Sequence, residues 1–251
     1  MRVLLPPSET KKAGGSGTPL DLPGLSLSAL TAQREQLVDA LVALSADPER
    51  AQRVLKLSDR QRGDIADNRM LREAPTMPAV DRYTGVLYDA LDAAGLGPEE
   101  RTWLGRHVWI HSAPFGPVGA LDPIPMYRLA AGTSLPGIAP LRRHWAEPVT
   151  AAIAEEAPAF VLDLRSEAYV ALGPVPASVP SVYMRVVTDE AGQTRALNHF
   201  NKKAKGELVR ALAASQAAPA SESELLAWAS DHDVSLREDS SAGVFQLVIS
   251  E

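Results

Sequence analysis

The feature that most constrains this chain is an alternation. Short apolar runs of strand type are separated, almost from end to end, by stretches with helical periodicity. RVLLPP (2–7) is an apolar run closed by two prolines and reads as a first strand. LTAQREQLVDALVALS (30–45) sets Leu30, Leu37, Leu41 and Leu44 on one helical face, with Thr31 as N-cap. DPERAQRVLKL (47–57) opens with an aspartate cap and a proline at the first helical position. SDRQRGDIADNRMLREAP (58–75), AVDRYTGVLYDALDAAGLG (79–97) and PEERTWLGRH (98–107) read as further helices. VWIHSAPFGPVGA (108–120) is a strand running into a glycine- and proline-rich turn. In the second half, LRRHWAEPVTAAIAEEA (141–157) is a helix open to a kink at Pro148. FVLDLRS (160–166) is a buried strand, and SEAY starts a short helix. SVYMRVVT (181–188) and RALNHF (195–200) read as strands joined by the turn DEAGQT. NKKAKGELVRALAAS (201–215) and SESELLAWAS (221–230) read as helices, and VSLRED with GVFQLVIS as a closing hairpin. Interleaving of this kind predicts an α/β (mixed α+β) fold, a central mixed β-sheet surrounded by helices. No linker, repeat or low-complexity tract interrupts it, so residues 1–251 are expected to form a single domain.

Composition narrows the function classes. The absence of cysteine removes disulfides, thiolate chemistry and cysteine metal sites. No apolar run approaches the ~20 residues of a membrane span. The opening MRVLLPPSETKK has too short an apolar stretch for a secretory signal, so a cytoplasmic protein is expected. The net charge of −6 argues against nucleic-acid binding by overall charge, but it leaves room for a local basic cleft.

Lysine placement is the next clue. The six lysines are Lys11, Lys12, Lys56, Lys202, Lys203 and Lys205, and five of them fall in two short clusters. In NKKAKGEL (201–208), Asn201 reads as an N-cap and the three lysines as the first turns of a helix. Cations are disfavoured at a helix N-terminus by roughly 0.3–1 kcal/mol each, so their presence suggests a bound anion. The alternative is a solvated charge run. SETKK (8–12) follows the first strand, where ligands of α/β sheets bind, and either carries Ser8, Glu9 and Lys11 into a cleft or is a solvated loop. LDLRSEAY (162–169) places Asp163, Arg165, Ser166 and Glu167 where a buried strand meets a helix, although Ser166 would serve equally as a cap. In DRYTGVLYDAL (81–91), positions 81, 85 and 88 share a helical face carrying Tyr88, with Tyr83 nearby. His107 and His111 are four apart, but HVWIH reads as a strand and no second ligand pair accompanies it, so no metal site and no cofactor are expected. P-loop, dinucleotide-binding and nucleophile-elbow motifs are absent.

Taken in order, PPSETK, DRYTGVLY, HSAPFGPVGALDPIPMYRLAAG (111–132), Trp145, LDLRSEAY and FNKKAKGEL resemble the YaaA family of peroxide-stress-response proteins. The resemblance runs from about residue 3 to about residue 210. It implies a bacterial, cytoplasmic, mixed α/β protein that limits oxidative damage linked to free iron. It also implies duplex DNA binding through a basic cleft, with a helix-hairpin-helix element at Phe115–Asp122. Family motif positions fall here on Lys11, Tyr83, Gly85, Ser112, Gly116, Asp122, Tyr127, Arg128, Ser166, Glu167, Tyr169, Lys203, Lys205 and Gly206. The chain departs from the pattern at Gly119, where relatives carry arginine, at Pro117, which lacks a backbone donor, and at Glu9.

Two expectations of function follow. In the first, Lys11, Arg128, Lys202, Lys203, Lys205 and Gly116 bind DNA phosphates. In the second, an enzyme acts on a small anionic substrate, such as a nucleotide or phosphorylated metabolite, in a pocket lined by Lys11, Tyr83, Arg128, Ser166, Glu167 and Lys205. Lys205, Glu167, Ser166 and Tyr83 are then the candidates for chemistry. In a third reading the motifs serve only the fold. Oligomeric state is left open.

Overall fold

The computed structural model describes residues 1–188 and 198–249. In chain order it contains β1 (Arg2–Leu5), α1 (Thr31–Ser45), α2 (Pro48–Leu55), α3 (Asp64–Arg69), β2 (Met77–Pro78), α4 (Ala79–Arg82), α5 (Val86–Leu91) and α6 (Pro98–His107). There follow β3 (Val108–Ser112), β4 (Gly116–Gly119), β5 (Pro123–Ile124), α7 (Leu141–Glu156), β6 (Val161–Asp163), α8 (Glu167–Val170), β7 (Ser181–Thr188), α9 (Asn198–Ala214), α10 (Glu222–Asp231), β8 (Leu236–Glu238) and β9 (Val244–Ile249).

Seven strands form one mixed sheet in the order β4-β3-β1-β6-β7-β9-β8. The five inner strands run parallel, with Val3 opposite Val108 on one side and Leu162 on the other. The edge strands β4 and β8 pair antiparallel. β2 and β5 make a separate two-stranded ribbon. Every residue of β3 and β6 is buried, as are Val3, Leu4 and Leu5 of β1. Uninterrupted burial of this sort, apolar but for His111, Ser112 and Asp163 at the carboxyl ends of the strands, belongs to a parallel sheet covered on both faces.

Local chemistry explains most of the elements. Asp47 caps α2 by accepting from the Arg50 amide at 3.0 Å, with Pro48 at the first helical position. Ser221 caps α10 in the same way, through the Glu224 amide. Thr31 is the first residue of α1 rather than its cap, and its hydroxyl donates to the Ser28 carbonyl. Pro148 sits inside α7, and the helix continues through it.

Three expectations are corrected. The helix expected over 79–97 is broken at Tyr83–Gly85. The Lys12 amide donates to the Arg82 carbonyl at 2.8 Å, and the Thr84 amide to the Thr10 carbonyl at 3.1 Å. The 8–12 loop therefore takes hydrogen bonds a continuous helix would need. Gly85 makes the turn at φ 95°, a region that favours glycine. Residues 58–75 give a short 3₁₀ turn and then α3, which stops at Arg69. The turn DEAGQT and the first three residues of the strand expected over 195–200 lie outside the described residues, and residues 198–200 belong to α9. Asn201 is accordingly inside the helix and not its cap.

α9 lies very close to α5. A Cβ on Gly206 would stand 2.2 Å from the Leu87 carbonyl oxygen and 2.9 Å from Ala90 Cβ. Backbone cannot give way as a side chain can. Gly206→Ala is therefore expected to lower the unfolding free energy by about 1–3 kcal/mol. Urea denaturation reads this, and an unchanged midpoint would contradict so close an approach.

Candidate functional site

The chain leaves β1 for β3 on one side, then returns to place β6 on the other side of β1. The carboxyl ends of β1 and β6 thus flank a topological switch point, the usual ligand position in open α/β sheets. The SETKK loop follows β1, and Leu164–Glu167 follow β6. Each side carries one lysine, half-buried Lys11 after β1 and buried Lys205 against the end of β6.

Lys11 is held where the broken helix meets the loop, through an antiparallel bridge with Tyr83. Its ammonium donates to the Ser8 carbonyl at 3.0 Å and lies 4.2 Å from the centre of the Tyr127 ring. The Tyr83 and Tyr127 hydroxyls share a hydrogen bond of 2.7 Å, and both also interact with the Ser112 hydroxyl. Burial pushes both phenols above their ordinary range, so they stay protonated. Among the described residues no carboxylate closes an ion pair with Lys11. Glu9 is turned to Arg128, whose guanidinium donates to the Glu9 carbonyl at 2.7 Å and lies 3.4 Å from Asp64. Arg128 is itself fixed by buried Asn68, which exchanges two hydrogen bonds with its backbone. Burial lowers the Lys11 pKa to about 8; Glu9 pulls it back up and Arg128 pushes it further down.

Lys205 projects from the buried stripe of α9, in phase with Val209 and Leu212, and is only 6% exposed. Its ammonium donates to the Leu164 carbonyl at 3.0 Å and lies 5.7 Å from the Tyr183 ring centre. Burial brings its pKa to about 8, against a weaker upward pull from Asp163. Asp163 is committed elsewhere: fully buried Arg165 grips both its oxygens, at 2.9 and 2.6 Å. The remaining Arg165 nitrogen donates to His111 Nδ1 and the Gly173 carbonyl, each at 2.9 Å. This leaves His111 as the Nε2–H tautomer, and burial and Arg165 hold its pKa far below the usual range.

The other expected residues are placed as follows. Ser166 and Glu167 are exposed at the start of α8; Ser166 occupies the cap position, but its side chain makes no cap bond. Lys202 and Lys203 are exposed on α9, and Lys203 faces Glu207 at 3.4 Å, a surface pair of small energetic weight. With α9 already helical at Asn198, the lysines do not stand in its first turn, so the helix-dipole argument for an anion there fails. Gly116 starts β4 with φ 63° and is filled against Trp145, which a Cβ would approach to 3.1 Å. The helix-hairpin-helix expected at Phe115–Asp122 is corrected: β3 and β4 form a buried β-hairpin there. Its Phe115 and Pro117 carbonyls accept from buried Arg34, its Gly119 amide donates to Asp122, and the Phe115 amide donates to Ser112.

A cleft of about 360 Å³ adjoins the Lys11 side, lined by Glu9, Leu55, Lys56, Leu57, Arg128 and Thr133 among others. A second, of about 770 Å³, lies along Lys12, Gly15, Asp81, Asp92 and Arg101. Three of its charged groups are already in ion pairs: Arg101 with Asp81 at 2.7 Å and Asp92 with Arg210 at 3.1 Å. Among the described residues no group of three or more His, Asp or Glu side chains is placed to hold a metal ion. Among the described residues no helix is long and apolar enough to cross a membrane.

A mixed α/β sheet with a buried and a half-buried lysine at its switch point, neither in an ion pair, defines the class. Residues 1–232 match the family model described as peroxide stress protein YaaA. The chain is 47% identical to a UPF0246 protein of Corynebacterium efficiens over 219 residues, 86% of each chain. It is 43% identical to one of Streptomyces coelicolor over 228 residues, covering 90% of this chain and 88% of the relative. A UPF0246 protein of Streptococcus pneumoniae is 25% identical over 239 residues, 91% and 92% of the two chains. The chain belongs to the YaaA peroxide stress family.

Proposed function

We propose that this peroxide stress protein acts on a small anionic ligand, a nucleotide or phosphorylated metabolite, held at the switch point between Lys11 and Lys205. The observation that carries the reading is a buried ammonium, Lys205, and a half-buried one, Lys11, neither of them in an ion pair with a carboxylate. A charge withdrawn from water without an ion-pair partner is costly, and a site that maintains two of them gains most when an anion enters. Arg128 on the Lys11 side and the exposed Ser166 and Glu167 after β6 are the further polar groups that this reading recruits around the anion. Glu167 is the candidate general base and Ser166 a candidate hydroxyl donor. Tyr83, kept protonated, supplies a proton on the Lys11 side. The expected connection with free iron is then indirect, through the chemistry of the ligand.

Duplex DNA is the second reading, favoured by Lys202 and Lys203, which stay exposed close to Lys205 along α9. Calorimetric titration with inorganic phosphate and with a nucleoside monophosphate tests the first reading. Binding of either, weakened at least tenfold in Lys205→Met, is the expected result. Labelled duplex titrated at two salt concentrations tests the second. There, log affinity would fall by about 0.9 per phosphate contact per decade of salt. Salt-dependent duplex binding lost in Lys202→Ala/Lys203→Ala, with no small-anion binding, would displace the pocket reading.

A further inference from the structure

Lys11 and Lys205 are not equivalent, and the difference lies in what surrounds each amine. Lys205 has one aromatic ring and a carbonyl beside it. Lys11 has, besides its carbonyl, two phenols already joined to each other and to the Ser112 hydroxyl. Its ammonium lies 4.2 and 5.6 Å from the two ring centres. The charged groups facing it come from several elements: Glu9 from its own loop, Arg82 from α4, Asp64 from α3 and Arg128 from the segment after β5. Glu9 and Arg128 also belong to the wall of the 360 Å³ cleft. That cleft adds Lys56 and a lining of Leu55, Leu57 and Leu129, so it suits an anion with an apolar body.

We propose that Lys11 is a nucleophilic amine that forms an imine with a carbonyl-bearing anion, such as a keto acid or a phosphorylated aldehyde. The inference rests on the small-anion reading and names its substrate class. The neutral Nζ attacks the carbonyl carbon, and a C–N bond forms as the C=O π pair moves onto oxygen. That oxygen takes a proton from the Tyr83–Tyr127–Ser112 hydroxyl set, which recovers one from the nitrogen. A second proton from the same hydroxyl set turns the carbinolamine hydroxyl into water as it leaves, the nitrogen lone pair forms C=N, and the N–H proton of that iminium returns to the set. The balance is amine plus carbonyl giving imine plus water, with no oxidant or reductant. Desolvation, the largest effect, and neighbouring Arg128 disfavour the ammonium against the weaker pull of Glu9 and Asp64, which keeps a neutral fraction of the amine near neutral pH.

The test treats the full chain with glyoxylate and sodium cyanoborohydride, then maps modified lysines by peptide mass. Lys11 is expected to be reductively alkylated at least tenfold faster than exposed Lys12, Lys56, Lys202 and Lys203. The rate should climb with pH toward a midpoint near 8 and fall severalfold in Tyr127→Phe. Labelling of Lys11 no faster than of Lys12, or labelling only after denaturation, overturns the proposal. Lys11→Arg separates the two ideas: it should keep phosphate binding and lose the fast label. Phosphate binding in the wild type without selective labelling would refute the amine and leave the anion site standing. Failure of phosphate to bind or to protect Lys11 would refute the anion reading on which the amine depends.

Discussion

Lys205→Met is expected to make the ligand-free protein more stable at pH 7 and to remove most of its affinity for phosphate. Lowering a lysine from 10.5 to about 8 means that its charged form costs the fold on the order of 3 kcal/mol at neutral pH. Methionine has a similar length and no charge. It forfeits the bond to the Leu164 carbonyl, a loss of about 1 kcal/mol. The net gain is about 1–2 kcal/mol, seen as a rise in Tm of roughly 2–8 °C. The pH dependence supplies a sign that packing alone does not. Between about 8 and 10.5 the unfolded lysine still binds a proton and the folded one has released it. Stability therefore rises with pH through that window and is lower toward neutrality. Lys11 contributes in the same direction, so the variant should keep about half of the wild-type rise. The slope must be read below about pH 10, where unfolded tyrosines start to ionise. Above that, the upward-shifted Tyr83, Tyr88, Tyr127 and Tyr169 make stability fall. A variant less stable than wild type at pH 7, with phosphate affinity unchanged, would mean that Lys205 is a structural lysine and holds no anion.

The fold was largely legible in the sequence because its strands are short apolar runs ended by strong breakers. RVLL stops at two prolines, VLD gives way to the short helix that starts at Glu167, and the last hairpin turns at Gly243, where φ is 71°. The break in 79–97 was not legible. Its cause is a loop some seventy residues upstream that claims the Arg82 carbonyl and the Thr84 amide, and helical periodicity carries no trace of such a partner. Half of the site was visible as motifs. Lys11, Tyr83, Arg128 and Lys205 stood out by residue type, yet the argument offered for Lys205 concerned a helix terminus it does not occupy. The better signal was its phase: Lys205, Val209 and Leu212 repeat at i, i+4 and i+7, which puts a lysine in an apolar stripe. Tyr127 entered only as a motif position. Its bond to Tyr83 spans 44 residues, and nothing in PIPMY announces it. Tyr183 looked like an ordinary strand residue, because strand alternation gives only the face on which a ring falls.

Arg165→Met is expected to destabilise the protein more than any change at the lysines. Arg165 is fully buried and holds Asp163 through two bonds while donating to His111 and Gly173. Without it, the Asp163 carboxylate is left 5% exposed at the end of β6 with no guanidinium opposite. Breaking one side of a buried pair costs about 3–5 kcal/mol, which in a chain of this length lowers Tm by roughly 10 °C or more. The damage should be relieved in Arg165→Met/Asp163→Leu, because the loss comes from a stranded charge and replacing both partners removes it. Lys205 adds a second readout. Asp163 is the carboxylate that pulls its pKa upward, and the arginine keeps that carboxylate turned away from it. In the single variant the freed Asp163 would pair with Lys205, raise its pKa and occupy the position meant for an anion. Phosphate affinity should then fall even in the fraction that remains folded. In the double variant Lys205 stands alone again and affinity should return. A double variant as unstable as the single one would locate the cost in lost packing around His111 and Gly173 rather than in charge. Unchanged phosphate affinity in the single variant would show that Arg165 does not reserve Lys205 for a ligand.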